Sequence, residues 1–218
     1  MDKLNSKFAE FSPFFLTKGN KLYYTANHEA EKVHAATGLG FTDIYEYVFD
    51  GASKFSGQSK ILSEEINTKD AHEATPIFSR DGRTMIFSRG NNGSRKGAQN
   101  VDLFSATLEK DGTWSEPKML ALSDPLAWDG SPAFSADGKK LYFASDREHP
   151  DAKGGNDIYY ATKDSKGEWS NIKNLGAPVN TRGDDMFPYE DVKSLFYFSS
   201  TGHPSFGALD LFKLDKKG

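Results

Sequence analysis

The sequence predicts an all-β protein, a β-propeller of four-stranded blades in which four repeats are visible and the last blade is incomplete. Three observations predict it. A proline-led segment recurs at Pro13, Pro76, Pro132 and Pro188, with successive spacings of 63, 56 and 56 residues. Periods of about 40–60 residues holding several short strands belong to blades rather than to solenoid coils. Each copy carries short apolar runs broken by turn residues, and no stretch shows the 3.6-residue period of an amphipathic helix.

Composition agrees. Among 218 residues 13% are aromatic, with 17 Phe and 9 Tyr, and the apolar runs are cut by Gly, Asp and Asn. Such residues suit pleated, half-buried strands. The net charge of −4 and the lack of a long basic run give no electrostatic case for nucleic acid. There is no cysteine, so disulfide and thiolate chemistry are excluded. No run of 18 apolar residues is present, so no helical membrane span is expected. The opening "MDKLNSKFAEF" has no apolar core of a signal peptide.

The repeats run over about 11–74, 75–130, 131–186 and 187–218, as one propeller domain or a fragment of one. Each begins with a short strand after its proline. A tight turn follows at Lys18-Gly19, Asp81-Gly82 and Asp137-Gly138. Asp-Gly between apolar runs signals a hairpin, because Gly accepts positive φ without a steric penalty. The fourth repeat has "EDVKS" there, so its turn should differ. The second strand is the most apolar, as in "KLYYTA" and "KLYFAS", with apolar residues on both faces. That pattern fits a strand covered on both sides.

A long polar loop comes next and ends at an Asp that opens the third strand: Asp43, Asp102, Asp157 and Asp210. Each is expected to bond the backbone of the turn before it. Trp114 and Trp169, with Phe55 in the same place, precede the fourth strand and read as packing residues. The count is 15 strands, with the last repeat stopping after its third. Closed propellers complete a blade with both termini. Two arrangements fit, a piece of a larger propeller or a four-unit array with one three-stranded blade, and the first is expected.

"SPAFSADGKKLYFASDR", followed by Gly154-Gly155-Asn156-Asp157-Ile158-Tyr159 and "GEWSNIKNLGAPVNT", resembles the TolB-like, WD40-like propeller repeat of bacterial envelope proteins. "SSTGHPSFGALDLF" is similar to the variant found beside OmpA-like peptidoglycan-binding domains in Bacteroidetes-type outer-membrane proteins. The resemblance covers nearly the whole chain and implies a periplasmic or outer-membrane-associated setting. No OmpA-like segment is present here, so peptidoglycan binding does not carry over.

The links between repeats place an acidic residue three before each proline: Glu10, Glu73, Asp129 and Asp185. In a propeller these lie on one face near the axis. One reading makes them a ring that attracts a cation such as Ca2+, or a Lys or Arg of a partner, with Asp70 and Asp184 adding to the field and His72 beside it. The other makes each carboxylate a local acceptor for backbone N–H groups. The five His residues show no ligand pairing, so no transition-metal site is expected. The basic loop "NNGSRKGAQN" reads as solvated. No nucleophile elbow, phosphate loop or dinucleotide fingerprint occurs.

The expectation from sequence is a non-catalytic module of the cell envelope that binds a protein or peptide partner and holds no cofactor. The alternative is a sialidase-like or other glycan-acting propeller. "KDGTW" and "DSKGEW" loosely resemble the sialidase Asp-box, with the spacing off by one.

Overall fold

The computed structural model describes residues 4–27, 40–49, 59–90, 101–204 and 206–214. Phe55, His28, His34 and the basic loop 91–100 lie outside the described residues. The fold class is the expected one: all-β, with 15 strands among the described residues.

They form four antiparallel sheets. The first holds β1 (Glu10–Leu16), β2 (Lys21–Asn27), β3 (Thr42–Val48) and β4 (Ser59–Ile61) in that order. The second holds β5 (Glu73–Phe78), β6 (Thr84–Gly90), β7 (Val101–Thr107) and β8 (Lys118–Met119). The third holds β9 (Asp129–Phe134), β10 (Lys140–Ser145), β11 (Asp157–Lys163) and β12 (Trp169–Asn174). The fourth is three-stranded, with β13 (Asp185–Glu190), β14 (Phe196–Ser200) and β15 (Asp210–Leu214). The chain divides into two compact units, Met1–Ala98 with Phe104–Lys118, and Gln99–Leu103 with Met119–Gly218.

Each unit has its own core. In the first, Tyr23, Ile44, Ile66, Phe78, Met85 and Phe87 are buried together, with Trp114 packed on the cluster. In the second, Ala133, Tyr142, Ile158, Val179, Phe196 and Phe198 play that part. The Trp residues are therefore packing groups. Trp114 stands 5.8 Å from Phe78, and Trp169 stands 6.0 Å from Phe134, measured between ring centres.

The repeat motifs have uniform local causes. In the Asp-Gly turns, Asp81 Oδ1 accepts from Ser79 Oγ and Arg83 N, and Asp137 Oδ1 accepts from Ser135 Oγ and Lys139 N. Gly82 and Gly138 sit at φ 71° and 72°. The fourth turn does differ: Ser194 takes the left-handed position at φ 60°, and Asp191 caps Lys193 N and Leu195 N. One link residue per repeat stitches the third strand. Asn67 bonds both Ile44 N and Ile44 O, Ser123 accepts from Leu103 N, and Asn180 bonds both Ile158 N and Ile158 O.

Candidate functional site

The four acidic link residues open β1, β5, β9 and β13. Glu73, Asp129 and Asp185 are fully buried, at 0% exposure, and Glu10 is half-buried. Each carboxylate reaches back to its own link. Glu10 accepts from Ser6 N, Glu73 from Thr68 N and Oγ1, Asp129 from Asp124 N, and Asp185 from Thr181 N and Oγ1. This is the local-acceptor geometry. It ties the link into a turn four or five residues long and fixes where each inner strand starts.

Two of these acids also hold an arginine, half-buried at Arg89 and buried at Arg147. Arg89 Nε lies 2.9 Å from Glu73 and donates onward to Ile66 O. Arg147 lies 2.7 Å from Asp129 and donates onward to Leu122 O. Arg89 stands over the rings of Phe87 and Phe104, and Arg147 over Phe143 and Tyr159. Burial outweighs the arginine for Glu73, whose carboxyl is pushed up to about 7. Asp43, which adds its charge to Glu73, is itself pushed up to about 6 by burial. His72 sits beside them, its Nδ1 accepting from Thr42 N at 3.1 Å. So the structure brings His72, Glu73 and Asp43 together in the first unit as a packed cluster. Asp129 and Asp185 belong to the second unit, and no group of three or more His, Asp and Glu is poised for a metal among the described residues.

Two open concavities lie elsewhere, on the turn edge of the first unit. One groove of about 440 Å³ is bounded by the β1–β2 turn (Lys18, Gly19), the β5–β6 turn (Asp81, Gly82, Arg83) and the segment after β7 (Leu108, Glu109, Lys110), with Leu16, Lys21 and Tyr23 completing it. Four cations, Lys18, Lys21, Arg83 and Lys110, face two carboxylates there. A second groove of about 390 Å³ shares Lys21, Tyr23 and Leu108 and extends past Glu46 and Lys60 to Trp114. Both volumes fall in the range of ligand clefts.

The shared wall is organised around Glu46. Its Oε2 accepts from Lys21 Nζ at 2.8 Å and from Tyr23 Oη at 2.7 Å. Burial and the Glu46 charge hold the Tyr23 phenol well above its ordinary range, so it stays a neutral donor. Lys18 Nζ bonds Asp81 O and Arg83 bonds Leu108 O, which pins the three loops to one another. Asp81 is held below its usual carboxylate range by Ser79 and Arg83 N and remains ionised. This groove was missed in the sequence because its residues come from three turns at least 25 positions apart. The available signal was a basic residue in the turn edge of successive repeats.

Solved structures match this architecture over nearly its whole length. Puromycin hydrolase matches with a TM-score of 0.58 at 19% identity, covering 95% of this chain and 29% of that one. The endo-arabinase from Bacteroides thetaiotaomicron matches with a TM-score of 0.55 at 16% identity, covering 94% and 75%. A putative TolB from Agrobacterium tumefaciens matches with a TM-score of 0.53 at 16% identity, covering 89% and 57%. These are propeller blades. A TolB-like propeller is among the structures that share them, and the chain spans less than a third of the puromycin hydrolase it matches. No protein-family model and no curated protein sequence matches the chain.

One expectation from the sequence is corrected here. The non-catalytic module, and with it the exclusion of an enzyme, rested on the absence of catalytic motifs and on the envelope resemblance. The same blades occur in a peptidase-type hydrolase and in an endo-arabinase. The chain spans 29% of that puromycin hydrolase, so the lack of catalytic motifs in these 218 residues does not argue against a hydrolase. At this identity the likeness carries the fold alone.

Proposed function

We propose that the chain is the substrate-receiving propeller of a hydrolytic enzyme whose substrates are peptides carrying acidic residues. The observation that carries this reading is the turn-edge groove of the first unit, in which four cations face two carboxylates around a neutral Tyr23 hydroxyl. Anionic side chains entering such a cleft meet Lys18, Arg83 and Lys110 at its rim and the apolar floor of Leu16 and Leu108. The propeller of puromycin hydrolase supports the hydrolase class, and the groove supports the charge of the substrate. Catalytic groups are not assigned to this chain, because its buried carboxyl groups are engaged in strand-start turns.

Binding of fluorescent Glu-rich and Lys-rich peptides tests the reading. The acidic peptide should bind more tightly, and the double variant Arg83→Glu with Lys110→Glu should weaken it by about fivefold or more, since each rim charge contributes up to ~1 kcal/mol. Equal affinity for both peptides would overturn it. An exported setting is proposed on the resemblance of residues 199–212, with an OmpA-like domain in the parent protein as its finer form. The parent reading frame checks both, through a lipoprotein or export signal and a downstream domain.

A further inference from the structure

The junction between the third and fourth sheets repeats the junction between the first and second, with one part exchanged. In each, the Asp that opens a third strand and the acid that opens the next inner strand lie within reach of each other's charge: Asp43 raises Glu73, and Asp185 raises Asp157. At the first junction Arg89 pairs with Glu73 and caps Ile66 O. At the other, the cap on the corresponding carbonyl, Val179 O, is His203 Nε2 at 3.0 Å, and among the described residues no arginine pairs with Asp185.

Asp157 and Asp185 are 1% and 0% exposed. Their Oδ2 atoms are satisfied, by Lys153 N and Asn174 Nδ2 for Asp157 and by Thr181 for Asp185. Their Oδ1 atoms are buried without a hydrogen-bond partner, and so is Oδ1 of Asn156. Asp185 N donates to Asn156 O at 2.6 Å, which ties the backbone of the Gly154–Asp157 loop to the start of β13. Lys153 adds only a weak favourable charge to Asp157 from an exposed position.

The surrounding backbone is packed around them. A Cβ on Gly155 would stand 2.5 Å from Gly183 O, and one on Gly183 would stand 2.5 Å from Thr201 Oγ1. Only glycine allows these three segments to approach so closely. An isolated buried charge is costly, and an orphaned buried oxygen forfeits about 1–3 kcal/mol. Two carboxylate oxygens and an amide oxygen, each buried without a donor, are oxygens of the hard type that an alkaline-earth ion takes.

We propose that Asn156, Asp157 and Asp185 form a cation site of the Ca2+ class, in which the ion takes the place that Arg89 occupies at the earlier junction. Bound there, the ion locks the Gly154–Asp157 loop to the Thr181–Asp185 link.

Thermal unfolding of this chain, with and without Ca2+, Mg2+ or Na+ after chelator treatment, tests the site. At about 10 mM Ca2+ the melting temperature should rise by about 3 °C, as binding to the folded state alone requires for a ligand near tenfold above its Kd. Asp185→Asn should abolish the rise, and in chelator it should melt no lower than the unsubstituted protein, because it removes like-charge repulsion. If that variant fails to fold, Asn156→Ala, at a less buried side chain, should reduce the rise on its own. No response to any of the three ions, or a full response in a folded Asp185→Asn or Asn156→Ala, would overturn the site.

Discussion

A residue with left-handed backbone stands before each repeat proline: Ser12, Thr75, Ser131 and Phe187, at φ 49–53°. Pre-proline residues ordinarily adopt extended conformations, and side chains with a Cβ resist this region by about 1–2 kcal/mol. The strain coincides with a register shift in each inner strand pairing, which lets the strand bend while it stays in the sheet. The proline was legible in the sequence, but the φ before it was not, because local preference points the other way. Ser131→Gly should leave stability within about 0.5 kcal/mol or raise it, whereas Ser131→Val should lower it by about 1–2 kcal/mol. Denaturant unfolding of the two variants measures the difference. Glu73 gives a second test at this scale. Its carboxyl titrates near 7 in the folded protein, above its ordinary 4.5, so the folded state keeps a proton that the unfolded chain releases. Stability is therefore greatest below the unfolded value and falls as pH rises toward 7, by on the order of 2 kcal/mol. Melting curves across that window should show a shallower fall in Glu73→Gln, where the part due to Asp43 remains.

Strands were the most legible elements. All 15 were countable from turns and apolar runs, and the three-stranded last sheet followed from the same count. Pairing between acids and arginines was not legible, because it has no fixed spacing. Arg89 lies directly across from Glu73 in the β5–β6 register, while Arg147 lies two residues beyond Ser145, the partner of Asp129. Knowing the register would have exposed both. The four link acids each accept N–H groups of their own link, the donors that lie nearest to a carboxylate at the start of an inner strand. Arg147→Met should cost about 3–5 kcal/mol, because it leaves Asp129 buried and uncompensated. Adding Asp129→Leu should recover a large share of that loss, and a double-mutant cycle by equilibrium unfolding reads it directly.

At the scale of the whole molecule, the repeats share a pattern and differ in burial. Ile44, Leu103 and Ile158 follow the third-strand Asp and are 0% exposed, whereas Leu211 at the same position is 74% exposed. Tyr189 is 59% exposed where Ile77 and Ala133 are 8% and 7% exposed. Ile158→Ser should therefore cost about 3 kcal/mol and Leu211→Ser less than about 0.5 kcal/mol. The functional reading also lives at this scale, since the basic groove exists only where turns of successive sheets meet, and no single repeat announces it. Its most direct test is peptide hydrolysis by the longest natural protein that carries this chain, with acidic and basic substrates and with Arg83→Glu plus Lys110→Glu. The account predicts turnover of acidic peptides, with KM raised about fivefold or more and kcat within about twofold in the double variant. Absence of turnover for every peptide, or an unchanged KM in the double variant, would contradict it.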